Sequence, residues 1–104
     1  MQFLSISHRR PDFSGTPSAE MRAEEVEKAR ALYAAGLIRQ LWHREDTAGA
    51  CILWEAESRE QVWTILQTLP FTRAGVVDVT VIPLSPWAGF GPAEPVGQAR
   101  ATRT

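Results

Sequence analysis

Residues 2–8 alternate strictly: Leu4, Ile6 and His8 fall on one side, and Phe3, Ser5 and Ser7 on the other. That two-residue period predicts a strand. Residues 9–18 contain two prolines, a glycine and small polar residues, so they read as a loop. Thr16-Pro17 has the form of an N-cap followed by proline at the first helical position. From Pro17 to Ala35 the chain is Ala, Glu, Arg, Lys and Leu without a breaker, which predicts a helix stopped by Gly36. At ~100° per residue, Met21, Ala29 and Leu32 lie within roughly 40° of Glu25, with Val26 and Tyr33 flanking. Glu25 thus falls on the apolar stripe.

Residues 37–45 alternate again, with Leu37, Arg39, Leu41 and His43 on one face and Ile38, Gln40, Trp42 and Arg44 on the other. Asp46 to Gly49 is turn-forming, and residues 50–56 return as the second arm of a hairpin. Ser58 and Gln61 form a capping box for a second helix, with Val62, Ile65, Leu66 and Leu69 as its buried stripe and Pro70 as its end. Residues 76–82 are β-branched and read as a last strand. The order strand-helix-strand-strand-helix-strand predicts an α+β, ferredoxin-like split βαβ fold: an antiparallel sheet with both helices on one face. The other face would be bare, and in so small a domain a second copy is the common cover. Residues 1–86 form the expected domain. Residues 87–104, rich in Pro and Gly, form an expected arm, disordered or laid on a neighbouring subunit through Trp87 and Phe90.

Composition narrows the function. At 104 residues the chain holds one domain. Its net charge of -1 gives no basis for nucleic-acid binding. Cys51 is the single cysteine, which excludes an internal disulfide; with only His8 and His43 beside it, the usual zinc patterns are also excluded. There is no apolar run of ~18 residues and no signal peptide, so a cytoplasmic protein without membrane contact is expected. No cofactor motif occurs; Gly89-Phe-Gly91 lacks the third glycine and the context of a dinucleotide loop.

The candidate chemistry is that of acids and bases. A carboxylate on an apolar stripe must be paired, protonated or functional. Glu25 could pair with Arg22 at the edge of the core, or act as a general base with a raised pKa. His43 could shuttle a proton, and Arg39, on the same predicted face, could hold an enolate or carboxylate oxygen. Both could equally lie on an exposed or interface face. Asp78, Thr80 and Glu55 could line a pocket or face solvent. Cys51 reads as a small core residue.

The stretches Met21-Arg-Ala-Glu-Glu25, Ala35-Gly36, Arg39-Gln-Leu-Trp42, Glu55-Ala-Glu-Ser58 and Leu66-Gln-Thr-Leu-Pro70 resemble the muconolactone delta-isomerase family, over roughly residues 1–88. The resemblance implies a dimeric α/β barrel assembled into larger rings, no cofactor, and a proton shift next to a lactone carbonyl. It places the family's glutamate at Glu25. Arg22 stands where the family has lysine, Leu4 where it has a strand-one histidine, and Thr80 where it has a second acid. The reading that results is a small-lactone isomerase with Glu25 and His43 catalytic and Arg22, Arg39, Tyr33, Trp42 and Trp54 binding substrate. Two other readings stand beside it. One is a cyclase, dehydratase or cofactor-free oxygenase acting on an aromatic or polyketide-like substrate. The other is a non-catalytic ligand-binding oligomer.

Overall fold

The computed structural model describes residues 1–90. The strands are β1 (Gln2–Arg9), β2 (Ile38–His43), β3 (Ala50–Glu55) and β4 (Val77–Leu84); the helices are α1 (Ala19–Ala34), α2 (Arg59–Leu66) and α3 (Pro70–Arg73). The sheet order is β2-β3-β1-β4, with every neighbouring pair antiparallel. This is the expected split βαβ, with one added turn of helix before the last strand.

Ser18, not Thr16, caps α1: its hydroxyl accepts the Met21 N–H at 3.0 Å. Pro17 is buried before the cap instead of opening the helix. At the far end Gly36 takes φ +83, letting the Gly36 N–H bond the Tyr33 carbonyl and the Leu37 N–H bond the Leu32 carbonyl. That left-handed closure turns the chain directly into β2. Ser58 caps α2 through the Gln61 N–H, while the Gln61 amide reaches back to the Glu57 N–H. Pro70 does not terminate α2, which already ends at Leu66; it is the first residue of α3, where a missing N–H costs nothing.

The core lies between the sheet and α2, with the C-terminal end of α1. Phe3, Ile38, Ile52, Trp54, Val62 and Leu66 pack together there. The inner side of β1 is the one carrying Phe3 and Ser5, not the one carrying Leu4 and Ile6. Trp54 explains the serine: it is fully buried, and its Nε1 donates to Ser5 Oγ at 2.8 Å. A buried indole N–H needs an acceptor, and the hydroxyl supplies it.

Strand β2 departs from simple alternation. Ile38 pairs with Trp54, and Gln40 already pairs with Leu53, so Arg39 is an extra residue at a bulge. Beyond it Leu41 faces Ile52 and His43 faces Ala50. The bulge therefore puts Ile38, Leu41 and His43 on one side, and it breaks the predicted grouping of Arg39 with His43.

Candidate functional site

An open cleft of about 860 Å³ lies between the sheet and α1. Its floor combines small groups, Ser5 and Ser7 on β1, Ala48 and Gly49 in the hairpin and Ala50 on β3, with Ile38, Leu41 and Ile52 of β2 and β3. Val26, Ala29 and Tyr33 of α1 form the opposite wall, and Leu69, Phe71 and Val79 close one side. Only Leu32 of α1 is buried, because most of the helix's inner stripe borders this space instead of a filled core.

Glu25 projects from the second turn of α1 onto this wall. Its Oε1 accepts the Phe71 backbone N–H at 2.9 Å. Leu69 occupies the N-cap of α3 without a side-chain cap, and Pro70 has no N–H. Phe71 thus carries the first free donor of that helix, and Glu25 satisfies it from another helix. Burial pushes the Glu25 carboxyl above its ordinary range, and the Phe71 hydrogen bond offsets only part of this. Arg22 does not pair with it; its Nη2 donates to the Pro17 carbonyl at 3.3 Å. Among the described residues, Glu25 has no cationic partner and its second oxygen no hydrogen bond.

The cleft brings together Glu25, Arg22, Tyr33 and His43. Tyr33 and His43 are exposed at its rim. Arg39 is displaced outward by the bulge and lies outside it. Trp42, paired with Cys51, is on the outer face of the sheet, 48% exposed. Trp54 lies in the core beneath the cleft and does not line it. Asp78 is also on the outer face, bonded to Arg10 Nη1 at 2.8 Å and 3.6 Å from His8 Nε2.

Sequence reasoning missed three arginines of the cleft, Arg9, Arg30 and Arg44. Arg9 reads as the start of a loop, yet β1 continues through it; extending the Phe3-Ser5-Ser7 alternation by one step would have found it. Arg44 follows the last residue of β2 and bonds the Ser7 carbonyl through Nη1 at 3.3 Å, while Asp46 holds its Nη2 at 2.7 Å. Among the described residues, no three His, Cys, Asp or Glu side chains converge as metal ligands. No helix among them is long and apolar enough to cross a membrane. What the cleft offers is a half-buried carboxylate, an imidazole and guanidinium groups around an apolar space, which is equipment for moving protons on an organic molecule.

Over residues 1–88 the sequence matches the family model for muconolactone delta-isomerase. The chain belongs to the muconolactone delta-isomerase family. Among solved structures, muconolactone isomerase superposes with a TM-score of 0.73 at 22% identity, covering 90% of this chain and 98% of that one. The 5-chloro-2-hydroxyhydroquinone dehydrochlorinase TftG from Burkholderia phenoliruptrix AC1100, in complex with 2,5-dihydroxybenzoquinone, superposes with a TM-score of 0.62 at 22% identity, covering 82% and 94%. At that identity the two likenesses establish the shared fold. No curated protein sequence matches the chain. Membership in the muconolactone delta-isomerase family fixes the general class: the family and these neighbours are enzymes acting on small molecules.

Proposed function

We propose that this protein is a cofactor-independent isomerase that shifts a proton and a double bond in a small lactone or enolisable acid. The observation that carries the reading is Glu25: a carboxylate of raised pKa, held by the Phe71 N–H, on the wall of the cleft. The Glu25 carboxylate removes a proton from the carbon next to the substrate carbonyl, and the electron pair moves into an enolate. Arg22, one turn earlier on the same helix and on the same cleft, stabilises the enolate oxygen. His43, or Glu25 itself, returns a proton at the far end of the conjugated system, so substrate and product have the same composition. Tyr33 contributes to binding at the rim.

A second reading shares the first step. TftG is a dehydrochlorinase bound to a quinone, and elimination also begins with a base taking a proton. Here the anion would expel a leaving group instead of being reprotonated. The apolar cleft accommodates an aromatic ring as readily as a lactone.

The outer sheet face places Leu4, Ile6, Trp42, Leu53 and Ile82 together, with Trp42 and Ile82 well exposed. We take it to meet a second copy of the chain, closing a dimeric barrel, a point that sedimentation velocity checks directly.

Incubation with muconolactone in D₂O, followed by NMR, tests the reading. Deuterium entering beside the carbonyl, at a rate that Glu25→Gln abolishes, supports it. Absence of exchange from a folded protein rejects the lactone, and exchange that survives in Glu25→Gln rejects the base.

A further inference from the structure

The cleft is charged unlike the rest of the molecule. Arg9, Arg22, Arg30 and Arg44 line it, and Glu25 is the acid among its lining residues, whereas the whole chain has 11 basic and 12 acidic residues. Two of these arginines sit at one end, where β1 finishes and the β2–β3 hairpin turns back: the Arg9 N–H bonds the Ala48 carbonyl, and Arg44 bonds the Ser7 carbonyl. Arg44 is neutralised by Asp46. Arg10, next in the chain, is neutralised by Asp12 and Asp78.

Arg9 is different. Its guanidinium lies over the Phe13 ring, 5.2 Å from the centroid, and Nη2 donates to the Gly15 carbonyl. Its Nε is buried without an acceptor, and no carboxylate pairs with it among the described residues. Nη1 makes no hydrogen bond there either, which leaves it as the donor that can meet a ligand. A strand, an aromatic face and a backbone carbonyl thus hold an unneutralised cation at one end of an apolar cleft. Immobilising the guanidinium beforehand is what makes it selective, because little side-chain entropy remains to be lost on binding.

We propose that Arg9 is the specificity-determining residue that recognises a carboxylate carried by the substrate, separate from the carbonyl at which the proton is moved. The proposal rests on reading this cleft as the substrate site, and it assigns to one side chain the recognition of an anionic end on an otherwise apolar ring or chain. Arg9 reads that end while Glu25, farther along the cleft, meets the acidic carbon.

The test measures binding, so it stays readable whether or not the isomerase reading holds. In a Glu25→Gln background, which keeps a bound lactone unconverted, calorimetric titrations use muconolactone and 4-hydroxybenzoate, each against its methyl ester. The proteins compared are the background itself and the same chain with Arg9→Ala, Arg9→Lys or Arg59→Ala. The free acid is expected to bind about 10- to 100-fold more tightly than its ester, a preference lost in Arg9→Ala, partly restored in Arg9→Lys and kept in Arg59→Ala. An acid preference that survives Arg9→Ala overturns the proposal. So does an equal loss of acid and ester binding in Arg9→Ala, which would mark a packing role. A background protein that does not prefer the acids, or binds neither, overturns it as well. Failure of the isomerase reading shows elsewhere, as absent deuterium exchange in the chain that retains Glu25.

Discussion

Glu25 and Phe71 stand 46 residues apart, and one hydrogen bond of 2.9 Å joins the carboxylate of the first to the backbone N–H of the second. The same side chain caps a short helix and, on the function proposed above, is the base of the cleft. Its two roles separate by substitution. Glu25→Gln keeps an oxygen for the Phe71 N–H but cannot take a proton, so it should remain folded and lose about 10²–10⁴-fold in proton-transfer rate. Glu25→Ala should lose the rate and, in addition, about 1 kcal/mol of stability as α3 loses its cap. Urea denaturation beside the exchange assay distinguishes the two variants.

The raised pKa of Glu25 has a sign that can be checked. The unfolded carboxyl titrates near 4.5, and the folded one above it. Folded protein therefore holds this proton more tightly, so the group's favourable contribution is complete below about 4.5 and is lost as pH rises through the folded value. Glu25→Gln has no such loss. Its stability relative to wild type should rise as pH climbs from about 4.5 through the raised folded value, as denaturant midpoints across a pH series would record. The rate of proton abstraction should climb with pH through the same raised value, because the base must be ionised.

Gly49 allows the hairpin to lie against β1. A Cβ there would run into the Ser7 carbonyl, which is backbone and cannot rotate away. Gly49→Ala should cost about 1–3 kcal/mol. For a chain of this size that lowers Tm by about 4–8 °C per kcal/mol, which calorimetry resolves.

Ser5→Ala removes the acceptor of the Trp54 indole and leaves a fully buried donor unpaired. The expected loss is about 1–3 kcal/mol, more than deletion of an exposed hydroxyl such as that of Thr64 would produce. Urea denaturation of both variants makes the comparison.

Periodicity located every strand and both long helices, because each has one buried side and the hydrophobic pattern reports it. It did not tell which side of β1 faces inward. Leu4 and Ile6 are the more apolar pair, but Phe3 and Ser5 are inside, and Trp54, distant in sequence, is the reason. Alternation also failed at Arg39, since a bulge is a property of the pairing with β3 and not of β2 alone. Of the site, Glu25 was legible as a charge on an apolar stripe. Arg22, Tyr33 and His43 also fall on the cleft. Arg39, Trp42 and Trp54 do not, and Arg9 was hidden by placing the end of β1 one residue early. Trp87 and Phe90 stack edge to face at 4.8 Å, and of the arm expected over 87–104, residues 91–104 lie outside the described residues.

The small groups on the cleft floor carry a consequence for the evolution and engineering of this chain. Ala50 stands where valine or leucine would extend a hydrophobic layer beneath α1, whereas Gly49 has no room for a side chain and the Ser7 hydroxyl accepts the Ala50 N–H. Substituting bulk at Ala50 would extend the packed interior, and the fold would gain thermal tolerance as the hollow closed. The same change would evict any molecule from beside Glu25. If the cleft is the active site proposed above, activity and robustness are in direct exchange at that one position, and the alanine there marks the side of the trade on which this protein stands.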